Sequence, residues 1–312
     1  MPVRPLVLLG ATATGKSALA LELASRLPIE IVNADALQVY RGFDIGTAKP
    51  DAREQARVPH HLIDILEPHE RYSAGEFARR AAEAIAAIAE RGRLPVVVGG
   101  SGLYLRALLS GLSPIPPGDP VVRTALRERL AEEGLAVLRA ELNGLDPETA
   151  ARLAPGDTQR VLRALEVRLV SGLPLSAWIA RQPFGIQGIA AVRVGLTLPR
   201  AILYDRIADR VSRMVKGGWV AEVEKLLEQG LDPTLPPFQA IGYRQLVRHV
   251  RGELPLEPAT FETIQATRRF AKRQETWFRK EPDVAWLSAE DLHRVVPHVL
   301  ELVERSGRGE GL

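Results

Sequence analysis

The residues with the clearest chemical capacity lie in "GATATGKS", Gly10 to Ser17. They match G-x-x-x-x-G-K-[ST], a loop whose backbone N–H groups cradle phosphate oxygens. In such a loop Lys16 neutralises the terminal phosphate and Ser17 offers its hydroxyl to Mg²⁺, while the amides of residues 12–17 face the oxygens. The candidate phosphate site is thus Gly10, Ala11, Thr12, Ala13, Thr14, Gly15, Lys16 and Ser17. The loop selects phosphate oxygens, not a particular nucleotide, so what carries the phosphates stays open.

Other residues narrow the chemistry. In hydrolysing proteins built on this loop, an aspartate at the end of an apolar strand holds the water shell of the metal. Here the best such strand, "LPVVVGGSGLY", ends in Gly99-Gly100-Ser101 without an acid. That argues against an ATPase or GTPase motor and leaves small kinases and other phosphate-ester transferases. Asp35, in "NADALQVY", reads either as the cap of a turn or as a general base facing the phosphate loop. A base there suits a kinase and another transferase equally. His60 and His61 are adjacent, so their rings point to opposite sides, and no third ligand is near in sequence. A structural role is expected for them.

Cationic residues gather elsewhere. On a helix at 100° per residue, Arg268, Arg269, Lys272, Arg273, Arg279 and Lys280 of "RRFAKRQETWFRK" share a ~140° arc, opposite Phe270, Trp277 and Phe278. The segment holds a single acid, Glu275, so the stripe is poorly neutralised, as a surface for a phosphodiester backbone would be. A second candidate is "DTQRVLRALEVR", where Gln159 and Arg163 are neighbours one turn apart beside Arg160. A plain amphipathic helix explains that segment equally well.

These residues need a scaffold that brings them together. Residues 3–9 read as a buried strand entering the loop, and 16–27 as an amphipathic helix. A second strand at about 29–33 ends at Asn33-Ala34-Asp35, and "LPVVVGG" is a third, leading to a helix from about 102. Ser73 and Glu76 predict a capping box opening an alanine-rich helix to about 91. Strand–helix alternation predicts a parallel sheet covered on both faces, with ligands at the carboxyl ends of its strands. The loop, Asp35 and "GGSGLY" should share that rim. "SGLSPIPPGDP" breaks the pattern, and up to about residue 181 only helical punctuation follows: Asp119-Pro120 and Asp146-Pro147 each set a cap before a proline. "AAVRVGLTL" reads as a returning strand, followed by helices at about 199–230, 240–251 and 258–280 and a weak strand at "VAWL". The expected fold is α/β: a P-loop parallel sheet core flanked by helices (1–112 and 190–312, with basic C-terminal helices) and an all-helical insertion domain (113–189).

The bulk composition fits this. The 312 residues are 46% apolar and 25% charged with net charge +3, and the isoelectric point is near 9.3. The absence of cysteine excludes disulfides, thiol catalysis and cysteine-bound metal. No apolar run approaches the ~18 residues of a membrane span, and the N-terminal apolar run reads as a strand, not a signal peptide. A cytoplasmic monomer, away from membranes, is the expectation.

The series "GATATGKS", "NADALQVYRGFDIGTAKP", "PHHLIDI", "VVVGGSGLYLRALL", "RVLRALEV" and "AIGYRQL" strongly resembles the tRNA dimethylallyltransferases, also called tRNA isopentenyltransferases. The resemblance runs in order from residue 10 to about 280. It implies transfer of a dimethylallyl group from dimethylallyl diphosphate to N6 of adenosine 37, beside the anticodon in the tRNA anticodon stem-loop, with Mg²⁺ as cofactor. Residues 10–17 would then hold the donor diphosphate, with Lys16 catalytic, and Asp35 would be the base on the adenine amine. Contacts to tRNA would come from Asp35, Ala36, Leu37 and Gln38, from Gln159, Arg160, Val161, Leu162 and Arg163, and from Ser101 and Arg123 at the nucleotide's entry channel. Gln239, Gly242, Tyr243, Arg244 and Gln245 belong to a further family motif that packs against or contacts the RNA. The stripe would add Arg268, Lys272 and Arg279. Family members commonly carry Pro, Ser and Thr where Ala11, Ala36 and Ser101 stand, so no hydroxyl role transfers to Ala36. Eukaryotic relatives carry a zinc finger; without cysteine, the bacterial type is implied. A small-molecule kinase would need the loop and Asp35 but neither stripe nor insertion. A non-catalytic RNA-binding protein would need the stripe but not Lys16 and Ser17. An enzyme prenylating free AMP would not need the long basic C-terminal region.

Overall fold

The computed structural model describes residues 4–113, 115–181 and 188–308. Six strands form one sheet: β1 (Leu6–Gly10), β2 (Ile29–Asn33), β3 (His60–His61), β4 (Leu94–Val98), β5 (Val192–Thr197) and β6 (Ala285–Ser288). Their order is β3-β2-β4-β1-β5-β6, and every pairing is parallel. Helical crossovers cover both faces of such a sheet, so its strands are continuously apolar instead of alternating. In β1, Leu6 and Leu8 pack with Leu19, Leu23 and Val299 on one face. Val7 and Leu9 pack with Phe77, Ile85 and Leu105 on the other. Truncating one such leucine to alanine costs ~2–5 kcal/mol. β4 sits between β1 and β2, so crossovers diverge around β1 and leave a crevice at the carboxyl ends of these three strands.

Ser73 caps the helix Ala74–Glu90, its hydroxyl accepting from the Glu76 N–H at 3.1 Å. The return bond of a capping box is absent because the Glu76 carboxylate pairs with Arg79 and Arg80. His60 and His61 form the short edge strand β3. The helix expected over 199–230 is broken: Arg200–Met214 runs into a π-helical turn, Val215–Trp219, before Val220–Glu228. Gly217 and Gly218 permit it, Gly218 taking φ 100°, which only glycine tolerates cheaply. The turn delivers Trp219 into a separate core with Phe43, Phe238 and Tyr243.

The chain divides into two compact units, Met1–Leu109 with Ile189–Leu312, and Ser110–Gly188. The regular structure of the second, among its described residues, is all helical: Pro120–Glu133, Leu135–Leu145, Pro147–Arg152, Thr158–Ser171 and Leu175–Arg181. Asp119, Asp146 and Asp157 cap three of these helices. Its own core joins Leu126, Leu138, Leu142, Val161 and Leu165. Residues 114 and 182–187 of the expected insertion lie outside the described residues.

Candidate active site

A cleft of about 370 Å³ opens at the carboxyl ends of β1, β2 and β4. The loop contributes Thr12, Ala13, Gly15, Lys16 and Ser17 to its wall, and the rim adds Asp35, Gln38, Lys49, Gly99 and Gly100. The phosphate loop, Asp35 and the "GGSGLY" strand end thus meet as their strand positions imply. Gly10, Ala11 and Thr14 instead lie behind the loop. Thr14 is buried and its hydroxyl donates to the Ala11 carbonyl at 2.9 Å, so these residues shape the loop and do not face the cleft. The Thr12 N–H is also committed elsewhere: it donates to Gln274 Oε1 at 2.8 Å. That leaves the amides from residue 13 onward for the expected cradle.

Lys16 Nζ donates to the carbonyls of Gly10 (3.0 Å) and Ala11 (2.7 Å). Burial, and after it the nearby Arg210 guanidinium, bring its ammonium down to about 7 against the opposing pull of Asp35. Arg210 donates to the Thr12 hydroxyl at 3.1 Å and lines the same cleft; burial also depresses its pKa, while Asp35 opposes that. Lys49, its side chain 3% exposed, is anchored by Asp44 and Asp64. Two partly desolvated cations beside a loop of free amides attract a multiply charged anion. Arg210 and Gln274 carried no sequence signal, since both arrive from helices far along the chain.

Asp35 is both cap and cleft residue. Its Oδ1 accepts from the Leu37 N–H at 2.9 Å, while the carboxylate remains on the cleft wall. The turn is pinned around it: Asn33 Oδ1 accepts from the Asp35 N–H at 3.2 Å, and Ser101 Oγ accepts from the Ala36 N–H at 3.1 Å. A β-carbon on Gly99 would lie 2.2 Å from the Ala34 carbonyl oxygen, and one on Gly100 2.4 Å from Gln274 Nε2. The double glycine is thus the condition for this close packing. Gln38, half-buried, donates to the carbonyls of Thr47 and Ala48, both at 3.0 Å, holding the "DIGTAKP" loop against the cleft.

Several residues assigned to RNA contact prove to be internal. Val161 is fully buried in the helical unit's core, with Leu162 packed against that core. Tyr243 is fully buried and Gln245 nearly so. The Tyr243 hydroxyl donates to Glu222 at 2.6 Å, and Glu222 also accepts the N–H groups of Asp44, Ile45 and Gly46. Gln245 accepts from the Gly242 N–H at 2.8 Å. A side chain without exposed surface offers RNA nothing, so Val161, Tyr243 and Gln245 are corrected to structural roles. The "AIGYRQL" segment braces the loop over 44–46, and its one cation, Arg244, is exposed. Gly242 lies against Trp219, and Gln239 is exposed, donating to the Pro233 carbonyl.

The stripe lies on the helix Leu256–Phe278 and its C-terminal turn. Arg269, Lys272, Arg273, Arg279 and Lys280 are exposed. Arg268 departs from the expectation: it is half-buried, stacked 5.0 Å over the Tyr204 ring and donating to the Tyr204 carbonyl. Phe278 is buried, but Phe270 is only half-buried and lines the cleft with Gln274. In the helical unit, Gln159 and Arg160 are exposed, and Arg160 pairs with Asp157. Arg123 and Arg163 converge on the buried Glu166, which holds that carboxyl below its usual range against the cost of burial. His61 bonds Glu30 at 2.6 Å, the structural role expected of it, and no metal-binding group of three His, Cys, Asp or Glu occurs among the described residues. No helix among them is long and apolar enough to cross a membrane.

Comparison with known proteins covers nearly the whole chain. The family profile described as IPP transferase matches residues 38–281, and that of isopentenyl transferase matches residues 4–68. The chain is 48% identical over 297 residues to a tRNA dimethylallyltransferase of Syntrophobacter fumaroxidans, covering 95% of this chain and 87% of the relative. It is 49% identical to tRNA dimethylallyltransferase 1 of Trichlorobacter lovleyi, over 92% of this chain and 94% of the relative. Among solved structures, it resembles the tRNA isopentenylpyrophosphate transferase of Bacillus halodurans (36% identity, TM-score 0.69, 98% of each chain). It also resembles a eukaryotic dimethylallyltransferase described as acting on tRNA (25% identity, TM-score 0.82, 99% of this chain and 81% of that one). With its parallel sheet, phosphate loop and near-complete coverage, the chain belongs to the tRNA dimethylallyltransferase family.

Proposed function

We propose that this enzyme transfers the dimethylallyl group of dimethylallyl diphosphate to N6 of adenosine 37 in tRNA. The observation that carries this reading is Asp35 on the wall of the same cleft as Lys16 and Arg210. An acceptor for one proton stands beside a site for an anionic leaving group. The donor diphosphate sits on Lys16, Arg210 and the amides from residue 13 onward. As C1–O breaks, its electron pair leaves on the diphosphate, where the cations stabilise the growing charge. The N6 lone pair forms the new C–N bond to C1, and the N6 proton passes to Asp35. That amine is a weak nucleophile because its lone pair is delocalised into the ring, so the base contributes ~10²–10⁴ in rate, about 3–5 kcal/mol. To reach the cleft the adenine must leave its stack.

The residues also suit Mg²⁺. Such ions keep several waters and take few protein ligands when phosphates supply the rest, and Ser17, which carries a hydroxyl, lines the cleft with Lys16. Mg²⁺ would supply charge neutralisation to the diphosphate there. Arg269, Lys272, Arg273 and Arg279 on the stripe, with Gln159 and Arg160 on the helical unit, offer exposed groups to RNA phosphates. Incubating the protein with labelled dimethylallyl diphosphate, bulk tRNA and Mg²⁺, then digesting the tRNA, should yield N6-prenylated adenosine. ATP-dependent phosphorylation of a small molecule, with no label in RNA, would hand the site to the kinase reading.

A further inference from the structure

Gln274 lies on the buried side of the helix Leu256–Phe278, 6% exposed, between Ala271 and Phe278 on the same face, both buried. A primary amide in such surroundings is costly unless both of its ends are bonded. Both are. Oε1 accepts from the Thr12 N–H at 2.8 Å, and Nε2 donates to the Gly100 carbonyl at 2.8 Å. Thr12 belongs to the phosphate loop after β1 and Gly100 to the segment after β4, so one side chain joins two rims of the cleft to a third element. The fit is tight, since any β-carbon on Gly100 would meet Nε2. One atom must accept and the other donate, so no isosteric side chain reproduces the pair. Thr12 in turn holds Arg210 through its hydroxyl.

We propose that Gln274 is a positioning residue for the donor diphosphate: its amide sets the phosphate loop in register with the end of β4 and keeps Arg210 aimed at the cleft. The role rests on the reading of the cleft as a diphosphate site but does not require the RNA to be the acceptor. Glutamate at this position would keep an acceptor for Thr12 but place an oxygen against the Gly100 carbonyl. Methionine would keep the volume and lose both bonds. The test is Gln274→Glu and Gln274→Met, each compared with the unaltered protein by melting, by calorimetric binding of inorganic pyrophosphate with Mg²⁺, and by steady-state transfer. The expected result is about tenfold weaker pyrophosphate binding, the loss of one well-made hydrogen bond, with KM for the prenyl diphosphate raised and KM for tRNA unchanged. Folded variants that bind pyrophosphate as tightly as the unaltered protein would overturn the proposal, as would a lowered melting point with unchanged constants. An unaltered protein that transfers nothing to tRNA yet loses pyrophosphate affinity on Gln274→Glu would sink the acceptor assignment and leave this role standing.

Discussion

Lys16 provides the sharpest quantitative test. Its ammonium falls from the ordinary 10.5 to about 7 because burial and Arg210 disfavour the charge more than Asp35 restores it. A diphosphate favours the protonated form, so binding draws a proton onto Lys16 and raises its pKa again. Below pH 7 the lysine is already charged and affinity is independent of its titration. Above pH 7 each bound donor must also protonate Lys16, and affinity falls by about tenfold per pH unit, until the pKa of the complex is reached. Between pH 7 and 9 the loss should approach ~100-fold by this linkage. The assay is calorimetric titration of a non-reacting alkyl diphosphate from pH 6 to 9. Lys16→Arg and Lys16→Ala serve as controls, since guanidinium does not titrate in this range and alanine carries no charge. Any ionisation of the ligand appears in all three profiles, so only the difference reports Lys16. Parallel profiles for all three proteins would refute the reasoning. The same shift has a stability sign: a lysine whose native pKa is depressed weakens folding while charged, so stability should rise with pH between about 7 and 10.5, an increment absent in Lys16→Met.

Other predictions follow from the contacts. Asp35→Asn retains the acceptor for the Leu37 N–H but removes the base together with the charge that favours protonated Lys16 and Arg210; turnover should fall ~10²–10⁴-fold with tRNA affinity unchanged, whereas Asp35→Ala should also lose the acceptor that pins the turn and lower the melting point. Near-normal turnover of Asp35→Asn would demote it to a cap. Replacing the exposed Arg269, Lys272 and Arg279 by glutamine should weaken tRNA binding and flatten the log affinity–log salt slope by ~2–3 units, at up to ~0.9 per released contact; Arg268→Gln should instead act on stability, because it stacks on Tyr204. An unchanged slope in the triple variant would mark a merely solvated face. Gly242→Ala places a β-carbon 1.9 Å from the Trp219 ring at φ 92° and should lower the melting point sharply, while Gly144→Ala, in open space within the helix Leu135–Leu145, should raise stability by up to ~1 kcal/mol.

What the sequence determined by itself was local. The phosphate loop is legible because its chemistry resides in contiguous backbone: glycines in the right order, then Lys16 at the opening of a helix. The parallel sheet is legible because strands buried on both faces must be continuously apolar, and Asp119 and Asp146 announce helices because a cap bonds only its own next turn. The tertiary structure decided what periodicity cannot. Helical spacing places Arg268 on the same arc as Lys272, but only packing against Tyr204 turns it inward. It marks "RVLRALEV" and "AIGYRQL" as segments, but not that Val161, Tyr243 and Gln245 face inward. Most of all, the cleft is completed by Arg210 and Gln274, which reach Thr12 across 198 and 262 residues of chain. Their arrival depends on where whole helices dock, and that is set by the summed burial of both faces of the sheet, to which no short stretch of residues refers.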